Sequence, residues 1–119
     1  MNAHSDVATV NRLARAVEDQ EVRRLGVSVT AARSRVANRI GVAPGTLENL
    51  RRLRTKIVPN WLMNRIRAEF ITSLQLEIQR LEHEIHLARQ TGADHRDDML
   101  ASAETQLQAA RQIFDEALK

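Results

Sequence analysis

Between residues 45 and 52 the chain gathers Gly45, Thr46, Glu48, Asn49 and Arg52. Within about two helical turns these offer a bare backbone, a hydroxyl, an acceptor-only carboxylate, a carboxamide and a forked guanidinium. Such groups are suited to matching a pattern of hydrogen-bond donors and acceptors rather than to making or breaking bonds. Around them stand Arg33, Ser34, Arg35, Arg51, Arg54 and Lys56, groups that can hold phosphate oxygens through charge and hydrogen bonds.

Other side chains with chemical potential are less well placed. His83 and His86 are three residues apart, a spacing that can share a metal ion, but the apolar register of their segment turns both outward and they read as surface residues. No metal site and no cofactor are expected. Trp61 and Phe70 read as core aromatics, with base stacking as the remote alternative. The chain has no cysteine, which excludes disulfides and thiolate metal sites. No local Ser-His-Asp or paired-carboxylate arrangement and no Gly-rich phosphate loop is present, so enzyme activity is not expected.

Charge divides the chain at Pro59. Residues 1–58 hold 11 Arg and Lys against 5 Asp and Glu, whereas residues 59–119 hold 7 against 10. A basic front and an acidic back suit a protein that meets a polyanion at one end and protein at the other. Aromatics are 3% of the 119 residues and glycine and proline are few, a composition for packed helices rather than a sandwich or barrel. The start lacks the basic and apolar runs of a signal peptide, and no stretch is apolar enough to cross a membrane, so a cytoplasmic protein is expected.

The elements that must position these residues follow from periodicity. Ser5 and Asp6 can cap a first helix carrying Val7, Val10, Leu13, Ala14 and Val17 on one face, with Arg12, Arg15, Glu18 and Asp19 on the other and Gly26 as its stop. Thr30 offers the next N-cap, with Val29 as staple, for a short helix over 31–40 that Gly41 ends. Pro44 suits the first turn of a third helix, which the pattern carries through Leu47, Leu50 and Leu53 toward Lys56. Pro59 resets the chain. From Asn60 to Gln90 a helical pattern runs without a breaker, with a heptad seam of Ile71, Leu74, Ile78, Leu81, Ile85 and Ala88. After Thr91 and Gly92, Asp94 can cap a last helix whose seam is Leu100, Ala103, Leu107, Ala110, Phe114 and Ala117. The short connection favours an antiparallel hairpin.

Residues 33–52, RSRVANRIGVAPGTLENLRR, resemble the helix-turn-helix family of DNA-binding proteins along their whole length. Val36 and Ile40 face inward on the first helix, Ala37 is small where the second helix crosses, Gly41 suits a left-handed turn, Val42 plugs the corner, and Leu47 and Leu50 anchor the second helix. The departure is Ala43-Pro44-Gly45, where many relatives carry a polar side chain at the head of the recognition helix. The resemblance implies that Gly45, Thr46, Glu48, Asn49 and Arg52 face base edges in a major groove. Arginine there can pair with guanine, asparagine with adenine and glutamate with cytosine, each worth about 1–3 kcal/mol of discrimination. Arg33, Ser34, Arg35, Arg51, Arg54 and Lys56 would then grip phosphates.

The sequence therefore predicts an all-α protein, with a helix-turn-helix domain over 1–58 and a helical hairpin or coiled coil over 59–119. The function that follows is sequence-preferring binding of double-stranded DNA, as a small transcriptional regulator. The chain would be a homodimer joined through Ile71, Leu74, Ile78, Leu81 and Ile85, its recognition helices about 34 Å apart or a multiple of it. Two other readings share these features: the DNA-recognition subunit of a phage packaging machine, which would form a ring, and an adaptor that docks a protein partner on its acidic hairpin.

Overall fold

The computed structural model describes residues 3–90 and 96–118, and the described residues are helical throughout apart from short connections. Five helices follow in order: α1 (Ala3–Leu25), α2 (Val29–Ile40), α3 (Pro44–Arg51), α4 (Asn60–Gln90) and α5 (Arg96–Ala117). They form two compact units, Met1–Ser73 and Leu74–Lys119. The boundary falls inside α4 rather than at Pro59, because Leu62 and Ile66 in the first turns of that helix are buried with the front helices. No described helix is long and apolar enough to cross a membrane.

In the first unit, α1, α2 and α3 pack on one another around Val10, Ala14, Val17, Val36, Ala37, Ile40, Leu47 and Leu50, closed by Leu62 and Ile66. Leu47 and Leu50 lose all contact with water, and full burial of a leucine stabilises by about 1.5–3 kcal/mol. Those two residues, one turn apart, are the only buried positions on α3. They fix which face of this short helix turns inward.

The helix ends differ from the sequence-based expectation in three places. α1 begins at Ala3, so Ser5 and Asp6 lie within it instead of capping it. The α2 cap is Ser28, whose Oγ accepts from the Ala31 amide at 3.1 Å, two residues ahead of Thr30. Ser28-Val29-Thr30 offers two hydroxyl caps, and the earlier one lets Val29 and Thr30 join the helix. α3 stops at Arg51 rather than running toward Lys56. Here the Arg54 amide donates to the Asn49 carbonyl at 2.8 Å and the Leu53 amide to the Leu50 carbonyl at 3.1 Å. This paired pattern is a Schellman cap, and it places Leu53 in the left-handed region at φ +59°, where glycine is usual. Burial differs at Trp61, expected in the core, which is half exposed; Phe70 packs against the core as a half-buried residue.

Two ends behave as the sequence predicts. Gly26 (φ +67°) follows α1, and Gly41 (φ +89°) ends α2, its amide donating to the Ala37 carbonyl. An L side chain at Gly41 would carry the strain of that backbone region.

In the second unit the later half of α4 packs on α5 through Leu81, Ile85, Ala103, Leu107 and Ala110, with Ile78 and Leu100 at the margin. Ion pairs Glu82–Arg111 (3.4 Å) and Arg89–Glu104 (3.2 Å) fix the helices as antiparallel, since a rising number on one meets a falling number on the other. Ala103 and Ala110 in this core are small residues that allow close approach. Thr91, Gly92 and Asp94, expected to break and recap the chain, lie outside the described residues.

Candidate functional site

The geometry around α3 begins with a three-residue turn. Gly41, Val42 and Ala43 join α2 to α3, with the Val42 amide donating to the Ala37 carbonyl at 3.0 Å and Val42 packed against the core. Ala37 is fully buried, a methyl group where the two helices meet. Ala43 caps α3 with no side-chain hydrogen bond, and Pro44 starts the helix where a missing N–H costs nothing. The head of α3 is thus slim: no side chain caps it, and the Thr46 amide turns back to the Ala43 carbonyl at 3.0 Å.

Both helix C-termini in this region are closed by side chains from neighbouring helices. Asn11 of α1 donates Nδ2 to the Leu50 carbonyl, and Arg15 donates Nη2 to the Arg51 carbonyl at 2.9 Å. Arg65 of α4 donates Nη1 to the Ile40 carbonyl at 2.6 Å, at the end of α2, while its guanidinium lies 5.3 Å from the Trp61 ring centre. Cationic and amide donors at helix C-termini satisfy orphan carbonyls and complement the dipole.

With Leu47 and Leu50 inward, the remaining α3 positions turn toward solvent. Gly45, Asn49 and Arg52 are exposed, and Thr46 and Glu48 are half-buried. A methyl group added at Gly45 would meet no atom within 4 Å, so the space over it is open. Arg52 Nη2 lies 3.1 Å from Glu48, one turn back. An exposed pair of this spacing is worth about 0.3–0.5 kcal/mol, so either side chain is cheaply released to an incoming ligand.

The flanking cations divide into two groups. Arg33 and Arg51 converge on Glu18, at 3.2 Å and 2.8 Å, and Glu18 is only 1% exposed. These two arginines bind α2 and α3 to α1. Ser34, Arg35, Arg54 and Lys56 are exposed. Arg35 lies 3.4 Å from Glu21 while still more than half open to solvent. Arg54 and Lys56 have no ion-pair partner among the described residues.

The two carboxylates that organise this region escaped sequence reasoning. Glu18 was assigned to the outer face of α1 and is buried instead, and Glu21, with its side chain 3% exposed, receives Arg39 through two hydrogen bonds of 2.9 and 3.0 Å. Their register gave the signal: Glu18 follows Ala14 by four, and Glu21 follows Val17 by four, continuing the buried stripe. Burial of Glu21 disfavours its charged form, but hydrogen bonds and charge from Arg39 and Arg24 outweigh this and hold its pKa below the ordinary 4.5. Arg39 is correspondingly raised, first by its bond with Glu21, against desolvation and with help from Glu69.

The expected oligomer seam is divided. Leu81 and Ile85 are buried between α4 and α5, and Ile71, Leu74 and Ile78 are half-buried. His83 and His86 are both exposed, and no group of three or more metal-ligating side chains stands together among the described residues. No protein-family model matches this chain, and no curated protein or solved structure is similar to it.

Proposed function

We propose that the first unit is a helix-turn-helix module that binds double-stranded DNA, with α3 as its recognition helix, and that the protein is a small sequence-preferring regulator acting as a dimer. The observation that carries this reading is the division of α3: Leu47 and Leu50 hold one face in the core while Gly45, Asn49 and Arg52 stand open on the other. Residues 1–73 supply 13 Arg and Lys against 6 Asp and Glu, the electrostatic footprint of a phosphate-binding surface.

In this reading Asn49 and Arg52 make the base contacts, with Glu48 handing Arg52 to the groove, and Gly45 lets the head of α3 approach closely. Phosphate contact falls to Ser34, Arg35, Arg54 and Lys56, whereas Arg33 and Arg51 serve the fold by holding Glu18. The test is binding of the full chain to a random duplex pool across a salt series. Each phosphate neutralised steepens the slope of log affinity against log salt by about 0.9, so a steep fall with salt is expected. Absence of binding at low salt would overturn the proposal.

A further inference from the structure

The recognition helix proposed above has eight residues, Pro44–Arg51. Helices shorter than about 12–15 residues do not hold their shape alone in water, so the form and direction of α3 are set by what touches it. Two of its side chains, Leu47 and Leu50, enter the core. They stand three residues apart, along one line of the helix, and two anchors on one line leave rotation about that line open. Exposed Asn49 and Arg52 lie on the far side of the helix from this line. A helix with its side chains is about 10–12 Å thick, so a roll of about 10° moves their tips by about 2 Å. That is more than a hydrogen bond tolerates.

The missing constraint comes from α1. Asn11, Arg15 and Glu18 follow one another at steps of four and three, so they share one stripe of that helix. All three engage the last two residues of α3. Asn11 Nδ2 donates to the Leu50 carbonyl and Arg15 Nη2 to the Arg51 carbonyl at 2.9 Å, while Glu18 accepts from Arg51 Nη1 at 2.8 Å. Arg51 is therefore gripped twice by α1, through its backbone by Arg15 and through its side chain by Glu18. A carbonyl at a helix C-terminus points along the axis and a side chain points away from it. The two contacts thus act in different directions and stop the roll that the leucines permit. The rest of the terminus is closed by the backbone, with the amides of Arg52, Arg54 and Leu53 donating to the carbonyls of Glu48, Asn49 and Leu50.

We infer that Asn11 and Arg15 are positioning residues for DNA reading: they set the roll of α3 and so aim Asn49 and Arg52 at base edges, without touching DNA themselves. The inference rests on α3 being the recognition helix. Glu18, the third member of the stripe, is buried and also holds Arg33 of α2, so it serves the fold. Arg15 is exposed and Asn11 half-buried, and neither belongs to the apolar core. Their loss leaves that core intact and loosens the aim of α3. Base contacts need side chains held within a fraction of an ångström, whereas long, flexible arginines and lysines adapt to phosphates, which carry no sequence information. The signature is lost discrimination with non-specific affinity kept.

The test compares the Kd of the full-length protein for the duplex that the wild type selects from a random pool with its Kd for random duplex. Both are measured across a salt series, at a temperature where circular dichroism shows every protein folded. Partial unfolding lowers the competent fraction and weakens both affinities by the same factor, so their ratio is insensitive to a merely structural loss. Asn11→Ala and Arg15→Gln should each lower the ratio about tenfold, the low end of what one misplaced base contact is worth, with an unchanged salt slope on random duplex. Arg12→Gln removes the same charge from an exposed site one turn earlier on α1 and should leave the ratio unchanged. A wild-type ratio in either Asn11→Ala or Arg15→Gln would overturn the inference and leave DNA binding standing. So would an equal fall for Arg12→Gln, or a salt slope for Arg15→Gln shallower by about 0.9, which marks a lost phosphate contact. A wild type that binds duplex without preference would overturn the inference too. One that binds no duplex at low salt would overturn the reading of α3 itself, and the inference with it.

Discussion

Arg51 Nη1 lies 2.8 Å from Glu18 Oε2, in a carboxylate site that water does not reach. The next residue, Arg52, is the C-cap of the same helix and lies against half-buried Glu48. The adjacent arginines at the end of α3 thus have different tasks. Arg51→Ala leaves Glu18 with Arg33 alone, and breaking a buried ion pair costs several kcal/mol, reduced here by the remaining partner to about 2 kcal/mol. Arg52→Ala should change stability by less than about 0.5 kcal/mol. Urea denaturation of the two variants separates them; equal losses would contradict the division.

Glu21 gives stability a defined acid limb. Its carboxylate is held below 4.5 when folded, first against desolvation and then by Arg39 and Arg24. A depressed folded pKa contributes stability that is present above the unfolded value and disappears as pH falls through the folded value. Stability of the wild type should therefore fall as pH drops below about the ordinary glutamate value. Glu21→Gln should be less stable at neutral pH and show a shallower decline on acidification. Parallel wild-type and variant curves between neutral and acid pH would show that Glu21 contributes none of that slope.

Leu53 occupies a position built for glycine. It sits at φ +59° and is 65% exposed, so it carries backbone strain and gains little burial. A left-handed conformation costs an ordinary residue about 1–2 kcal/mol, and the greater chain entropy of glycine offsets about 0.5–1 kcal/mol of that relief. Leu53→Gly should stabilise the fold modestly and raise the thermal midpoint. A lower midpoint would mean that Leu53 makes a stabilising contact.

Gly45 separates folding from binding. It lies in α3 with open space over it, so Gly45→Ala should stabilise the free protein by up to about 1 kcal/mol through helix propensity. If the head of α3 approaches a groove, the same methyl group should weaken duplex binding. Thermal melting and binding measured together test this. Improved stability with unchanged binding would place the DNA contact away from the head of α3.

How much of this was legible in the sequence depended on whether one residue decided the outcome. Gly41, Pro44, Leu47 and Leu50 each act through a local rule, and the turn and the inward face of α3 follow from them. The antiparallel packing of α4 on α5 likewise followed from two periodic seams. The end of α3 was hidden because Leu53 continues the apolar spacing of Leu47 and Leu50, and nothing in its type announces a left-handed cap. Glu18 and Glu21 were hidden because glutamate on an amphipathic helix ordinarily faces water, and most of the arginines that make burial tolerable come from α2 and α3, 14 to 33 residues away. Arg33 and Arg51 were therefore indistinguishable in sequence from Arg35 and Arg54. Ser28 and Thr30 differ by two residues, and only the geometry of the first turn chooses between them.

DNA binding by the outward face of α3, as proposed, is open to fluorescence anisotropy on a labelled random duplex pool. The wild type should be measured beside Asn49→Ala/Arg52→Ala, with Trp61 fluorescence confirming that both are folded. Tight, salt-sensitive binding by the wild type is expected, with a loss of at least about tenfold in the variant, the equivalent of about 1.4 kcal/mol. Equal binding by the two proteins, or none by either at low salt, would contradict it.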